Sequence, residues 1–232
     1  MDQSGFDIDP ADLPQRGRRS QALVRVIDDA LPEPLVRRAR AAISRLGGER
    51  LRQSYFTTFW LPRGAAPAHP LEEAVLALWP LARAPSALGA EWWIGRAHTT
   101  SIPVDFHFDQ DVKGRRRRHP LVSSVFFFNA VRGGQLAVTD QVPGRSSTTR
   151  LQTVAPRRNR YAVFAGNLLH GVLDARGRAP GRRVPGLAGR LRITLVANYW
   201  DRRPAAVPTW LASGVYRTLV ERRNRAGRPE RS

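Results

Sequence analysis

Two kinds of hydrophobic spacing divide the chain. Between Pro32 and Ala82 apolar residues recur at helical intervals, whereas from about Glu91 to Trp200 they come in short runs broken by turn residues. The stretch from Pro32 predicts a helix: proline stands in the first turn, Leu35, Ala39, Ile43 and Leu46 share a face, and glycines follow. A second helix is predicted over residues 69–82, ended or kinked near Pro80, which has no amide hydrogen to donate. Around these helices, residues 22–31 alternate enough for a short strand, and Arg52–Leu61, rich in aromatics and threonine, reads as another. Residues 1–20 are polar and irregular and are expected to form a tail.

The second half reads as strands and turns. EWWIGRAHTT, Val104–Asp111, residues 121–129 and residues 190–200 are predicted strands, and Gly133–Gly134 form a tight turn into QLAVTD. KGRRRRHP is expected to be a basic loop, and residues 142–158 a loop rich in Pro, Ser, Thr, Gly and Arg. RYAVFA, Gly166–Asn167 and LLHGVLD together carry a hairpin signal, and a long loop precedes Arg190. PTWLASGVYRTLVERR is read as a short terminal helix. The expected fold is therefore mainly β with flanking helices, a barrel or double-sheet jelly roll, in one domain spanning 21–232 with its barrel core over about 91–200.

Composition narrows the chemistry. The chain has 232 residues and no cysteine, so disulfides, thiolate metal sites and cysteine nucleophiles are excluded. It contains no apolar run of membrane-spanning length, and its acidic N-terminal stretch lacks the apolar segment of a secretory signal. A cytoplasmic protein with no membrane partner is expected. The formal net charge is +19, and Lys113 is the one lysine among 38 basic residues. Such a surface favours acidic partners, whether nucleic acid, an acidic peptide or a carrier protein, although no nucleic-acid-binding motif stands in the chain.

Within Val104–Asp111, His107 and Asp109 are separated by one residue, which puts both on one face of an extended strand. An imidazole and a carboxylate side by side supply two ligands of a metal site, and His170 is the candidate for the third. Two histidines and a carboxylate with open positions opposite form the facial triad of non-haem iron. On residues 190–200, Leu191, Ile193, Leu195, Ala197 and Tyr199 share an apolar face and should pack on the core. Arg190, Arg192, Thr194, Val196 and Asn198 then face the interior, where a guanidinium is costly unless paired. The local strands supply no obvious acidic partner, and a bound dicarboxylate would supply one. His98 and His119 are candidate substrate contacts or caps, and Asp105 a candidate support for a ligand. His69 reads as structural, Trp92 and Trp93 as core on opposite faces, and the arginines at 115–118 as solvated surface or a lure for an acidic substrate.

Taken together, HFD, the FFFN strand end, GGQL, RYAVFAGNLLHGV and RLRITLVANYW resemble the Fe(II)/2-oxoglutarate-dependent dioxygenase superfamily over about Glu91–Trp200. The resemblance implies a double-stranded β-helix, with Fe(II) held by His107, Asp109 and His170. It also implies 2-oxoglutarate as co-substrate, its far carboxylate held by Arg192 and Thr194. A long arginine-bearing loop intervenes between His170 and Arg192, so Arg192 is chosen on strand context, with Arg190 next. The implied reaction is hydroxylation of a C–H bond in a small-molecule, peptide or carrier-bound substrate, with release of succinate and CO2. Asp109 stands where related halogenases carry a small residue. The alternatives are a non-catalytic barrel that binds acidic partners such as nucleic acid, and a cupin-type metal-dependent isomerase that would leave Arg192 without a role.

Overall fold

The computed structural model describes residues 22–46, 57–100, 105–113, 116–179 and 190–219; the predicted tail over 1–20 and the start of the 52–61 strand lie outside them. Among the described residues β1 (Val24–Ile27) precedes α1 (Glu33–Arg45), and β2 (Phe59–Pro62) precedes α2 (Pro70–Ala82). The amides of Leu35 and Val36 donate to the Pro32 carbonyl, so the predicted helix starts at its proline. Leu35, Ala39, Ile43 and Leu46 are all buried. His69 caps α2 through Nδ1, which accepts the Glu72 amide at 3.3 Å, and the Glu72 carboxylate accepts the Ala68 amide at 2.8 Å. Pro80 does not end this helix. It runs on to Ala82 and closes at Arg83, which takes a left-handed conformation with φ 55°.

The strands that follow are β3 (Gly89–His98), β4 (Asp111–Lys113), β5 (Arg116–Arg118), β6 (Val122–Phe127), β7 (Leu136–Thr139), β8 (Leu151–Val154), β9 (Arg160–Ala165), β10 (His170–Val172) and β11 (Leu191–Trp200). A six-stranded antiparallel sheet has the order β1-β9-β6-β11-β3-β2, and a three-stranded sheet the order β10-β7-β8. The expectation of a mainly β jelly roll with flanking helices holds. One face of the large sheet, including Phe126, Ile193, Leu195, Ala197 and Tyr199, packs on α1 and α2. Its other face, including Val125, Phe127 and Phe164, meets Leu136, Val138 and Val154 of the small sheet. The alternation predicted along residues 190–200 is thus the boundary between two cores.

Several local expectations are corrected. The basic loop is a two-stranded hairpin, with Asp111 paired to Arg118 and Lys113 to Arg116. The polar loop over 142–158 contains β8, whose residues find their partners on β7. Gly166–Asn167 do not close a hairpin: β9 pairs with β1 and β6, whereas β10 pairs with β7 in the other sheet. The chain crosses between sheets there, and Gly166 lies so close to the Pro120 carbonyl that a side chain would collide with it. The terminal helix shrinks to one turn, α3 (Trp210–Ser213), and a 3-10 turn over Arg217–Leu219.

Candidate metal centre

Of the predicted strand Val104–Asp111, the described residues 105–110 do not form a regular strand. Among them only His107 makes a ladder contact before β4 begins, as an isolated bridge to His170. That bridge lays the metal-ligand candidates side by side. The His107 amide donates to the His170 carbonyl at 2.9 Å, and the His170 amide to the His107 carbonyl at 3.1 Å. The rings stand 4.6 Å apart, and the Phe164 ring lies 4.8 Å from that of His170. Asp109, two residues on, turns its carboxylate between them, with Oδ1 3.6 Å from His107 Nε2 and Oδ2 3.4 Å from His170 Nε2.

Each ring is oriented from behind. His107 Nδ1 donates to the Asp105 carbonyl at 2.8 Å, and His170 Nδ1 to the Leu168 carbonyl at 2.9 Å. A carbonyl only accepts, so both Nδ1 atoms carry the proton, and in neutral rings both Nε2 lone pairs face Asp109. Ser123 donates from Oγ to Asp109 Oδ2 at 2.8 Å, and His119 Nδ1 donates to the Asp109 carbonyl at 2.7 Å. Burial opposes the charge on Asp109, but His170, His107 and the Ser123 hydroxyl outweigh it and hold its pKa well below the usual range. Burial lowers the pKa of His170; for His107 the Asp109 carboxylate overcomes burial and raises it.

The three ligand atoms lie within 4.8 Å of one another. Lone pairs converging on a buried carboxylate repel unless a cation sits among them. Three cis ligands about 2.1 Å from an octahedral ion stand about 3 Å apart, so small side-chain movements would complete the set. Two imidazoles and a carboxylate, with no thiolate, suit Fe(II).

The centre opens into a cavity of about 350 Å³ between the two sheets. Arg192, Thr194, Val196 and Asn198 all line it, so the predicted inward face of β11 is observed. Arg192 is 4% exposed. Its Nε donates to the Gly134 carbonyl at 2.8 Å, and its guanidinium lies 5.1 Å from the centre of the Phe127 ring. Thr194 Oγ1 is 3.4 Å from Arg192 Nη1. Gly134 has φ 67°, and a Cβ there would fall 2.8 Å from Arg192 Cδ, so glycine suits both the turn and the arginine's path. Arg190, also predicted to face inward, is exposed before β11 begins.

Other candidates sort by position. His98 is exposed at the end of β3, and His119 supports Asp109 from behind. Asp105 steadies His107 through its carbonyl, while its carboxylate accepts the Phe106 amide at 2.7 Å. Trp92 is core, but Trp93 lines the cavity, contrary to expectation. Sequence reading missed Glu91 and Ser123. Ser123 shares its strand face with Val125 and Phe127, so parity could have revealed it. Glu91 is the cross-strand partner of Asn198 and lines the cavity with it. Burial pushes the Glu91 carboxyl up to about 7, although hydrogen bonds from Thr58 and Trp200 oppose the rise.

No family model and no curated protein matches the chain. Among solved structures it is similar to a Pseudomonas putida prolyl-4-hydroxylase, at 22% identity and a TM-score of 0.46, covering 78% of this chain and 86% of that one. It is also similar to HygX from Streptomyces hygroscopicus with iron bound, at 16% identity and a TM-score of 0.48, covering 81% and 85%. A third is a 2OG-Fe(II) oxygenase family oxidoreductase from Burkholderia pseudomallei, at 13% identity and a TM-score of 0.46, covering 85% and 99%.

Proposed function

We propose that residues 21–232 form one Fe(II)- and 2-oxoglutarate-dependent oxygenase domain that hydroxylates a C–H bond of a small-molecule, peptide or carrier-bound substrate. The observation that carries this reading is a single cavity lined both by the His107–Asp109–His170 cluster and by the buried Arg192 guanidinium of β11. His107, Asp109 and His170 would hold Fe(II). Arg192 and Thr194 would receive the far carboxylate of 2-oxoglutarate, an anion that a planar guanidinium binds bidentately. Fe(II) with 2-oxoglutarate supplies the oxidising chemistry: O2, the 2-oxo acid and R–H become succinate, CO2 and R–OH. The protein's part is positional. Ser123 and His119 hold Asp109, two backbone carbonyls fix the imidazole tautomers, and the wall from Val196 to Asn198 and Glu91 is left for the substrate. An aspartate at position 109 favours hydroxylation over halogenation.

Anaerobic titration of Fe(II) in the presence of 2-oxoglutarate should produce a visible metal-to-ligand charge-transfer band. His107→Ala, Asp109→Ala and His170→Ala should each abolish it or weaken it strongly. A band that survives unchanged in His170→Ala removes this histidine from the ligand set. A mass-spectrometric substrate screen, read as succinate release and a gain of one oxygen, identifies the target.

A further inference from the structure

Beside the metal cavity lies a second hollow of about 500 Å³, lined by Asp111, Arg116, Arg118, Arg202, Arg203 and Ala205. Its arginines come from two separate parts of the chain. Arg116 and Arg118 alternate along β5 and so share a strand face, with Asp111 directly across from Arg118 on β4. Arg202 and Arg203 follow the end of β11. Four guanidiniums stand against Asp111 on the lining and Asp201, which pairs with Arg202, so the hollow keeps a net positive charge. Among the described residues Arg116 and Arg118 have no side-chain hydrogen bond or ion pair. Arg202 is held by its neighbour Asp201, at 2.7 and 2.9 Å, and Arg203 Nε donates to the Val207 carbonyl at 2.8 Å. Two of the forks are therefore steadied and two are open.

The lining of the hollow continues from that of the metal cavity along the chain at Gln110–Asp111. Asp111 is two residues from Asp109, with Gln110 of the metal cavity between them, and Asn198 of that cavity lies on β11 just before Arg202. The Glu91 carboxyl, in the metal cavity, feels the charges of both Asp109 and Asp111.

We infer that the Arg116–Arg118–Arg202–Arg203 hollow binds a phosphate-bearing part of the substrate, outside the metal cavity, while the carbon to be oxidised enters it. The inference rests on the oxygenase reading and names the substrate class for it. A singly charged carboxylate gains little from exposed arginines in water, whereas a phosphoryl group offers more charge and several acceptor oxygens to planar forks.

The test uses the metal-free 232-residue chain and inorganic pyrophosphate, followed by calorimetry at low salt. One saturable site of submillimolar affinity is expected, weakened at least tenfold in the double variant Arg116→Gln/Arg118→Gln. Arg202→Gln, on a different element, should also weaken it several-fold, so a disturbed hairpin alone does not decide the result. A control pair of exposed arginines, Arg37→Gln/Arg132→Gln, should leave affinity within twofold. Absence of saturable binding overturns the inference. So does an equal loss in the control pair, which would mean attraction to net charge alone, and so does displacement of pyrophosphate by 2-oxoglutarate, which would place the anion at Arg192. Because no metal is present, the outcome is independent of whether the oxygenase reading stands.

Discussion

His107 and His170 exchange both of their backbone hydrogen bonds, at 2.9 and 3.1 Å, across a bridge that involves no other described residue of the His107 segment. A single antiparallel rung thus sets the spacing of two imidazoles that are far apart in sequence. Both side chains of an antiparallel pair point to the same face, so fixing the backbone also fixes the direction of the ligands. The rung makes the site sensitive to anything that tilts it.

Gly171 provides a direct check. A Cβ at this position would fall 2.7 Å from Cδ2 of Phe106, the neighbour of His107. Gly171→Ala should push the two segments apart and weaken Fe(II) binding roughly tenfold, about 1.4 kcal/mol. Anaerobic metal titration measures it; unchanged affinity would show that the phenylalanine moves aside without disturbing the rung.

Arg192 separates an oxygenase from the other readings. A charge-assisted bidentate contact is worth roughly 1.5–3 kcal/mol, so Arg192→Gln should weaken 2-oxoglutarate tenfold to a hundredfold. Fe(II) affinity should be retained, and Arg190→Gln should do much less, because Arg190 is exposed. Dissociation constants for 2-oxoglutarate decide between them. If neither variant loses affinity, the co-substrate is not held by this strand.

Ser123→Ala removes the hydroxyl that donates to Asp109 Oδ2 at 2.8 Å. The carboxylate keeps its place between the imidazoles but gains freedom to rotate. Metal affinity should fall about tenfold to a hundredfold, the usual cost of losing a group that orients a ligand. The thermal stability of the metal-free protein should change little. A large drop in that stability with unaltered metal affinity would assign Ser123 to the fold instead.

Glu91 should leave a mark on the pH dependence of stability. Burial lifts its pKa from 4.5 to about 7. A carboxyl whose pKa rises on folding takes up protons as the chain folds, so its contribution is fully present below about 4.5 and is lost as pH rises through 7. Glu91→Gln should remove this slope, on the order of 1–3 kcal/mol, and so gain on the wild type between pH 5 and pH 8. Denaturant unfolding at both pH values reads the difference; parallel curves would show that Glu91 ionises freely in the fold.

The order of the candidate ligands, the inward face of β11 and both long helices were legible in the residues themselves. Each is a local matter: a period of two or 3.6 decides which side chains share a face, and Leu191–Tyr199 alternate so regularly that one face had to be core. Partner choice is not local. Nothing in Gly166–Asn167 reveals that β9 stays in the large sheet while β10 joins β7, because the competing pairings lie far away in the chain. β8 took its strand form from β7 despite a loop-like composition, and the basic run became a hairpin by pairing with Asp111–Lys113. The bridge between His107 and His170, the Ser123 hydroxyl on Asp109 and the placement of Glu91 beside Asn198 depend on which strands become neighbours. Strand pairing is settled by burying the faces of two whole sheets together, and that collective energy appears in no single segment.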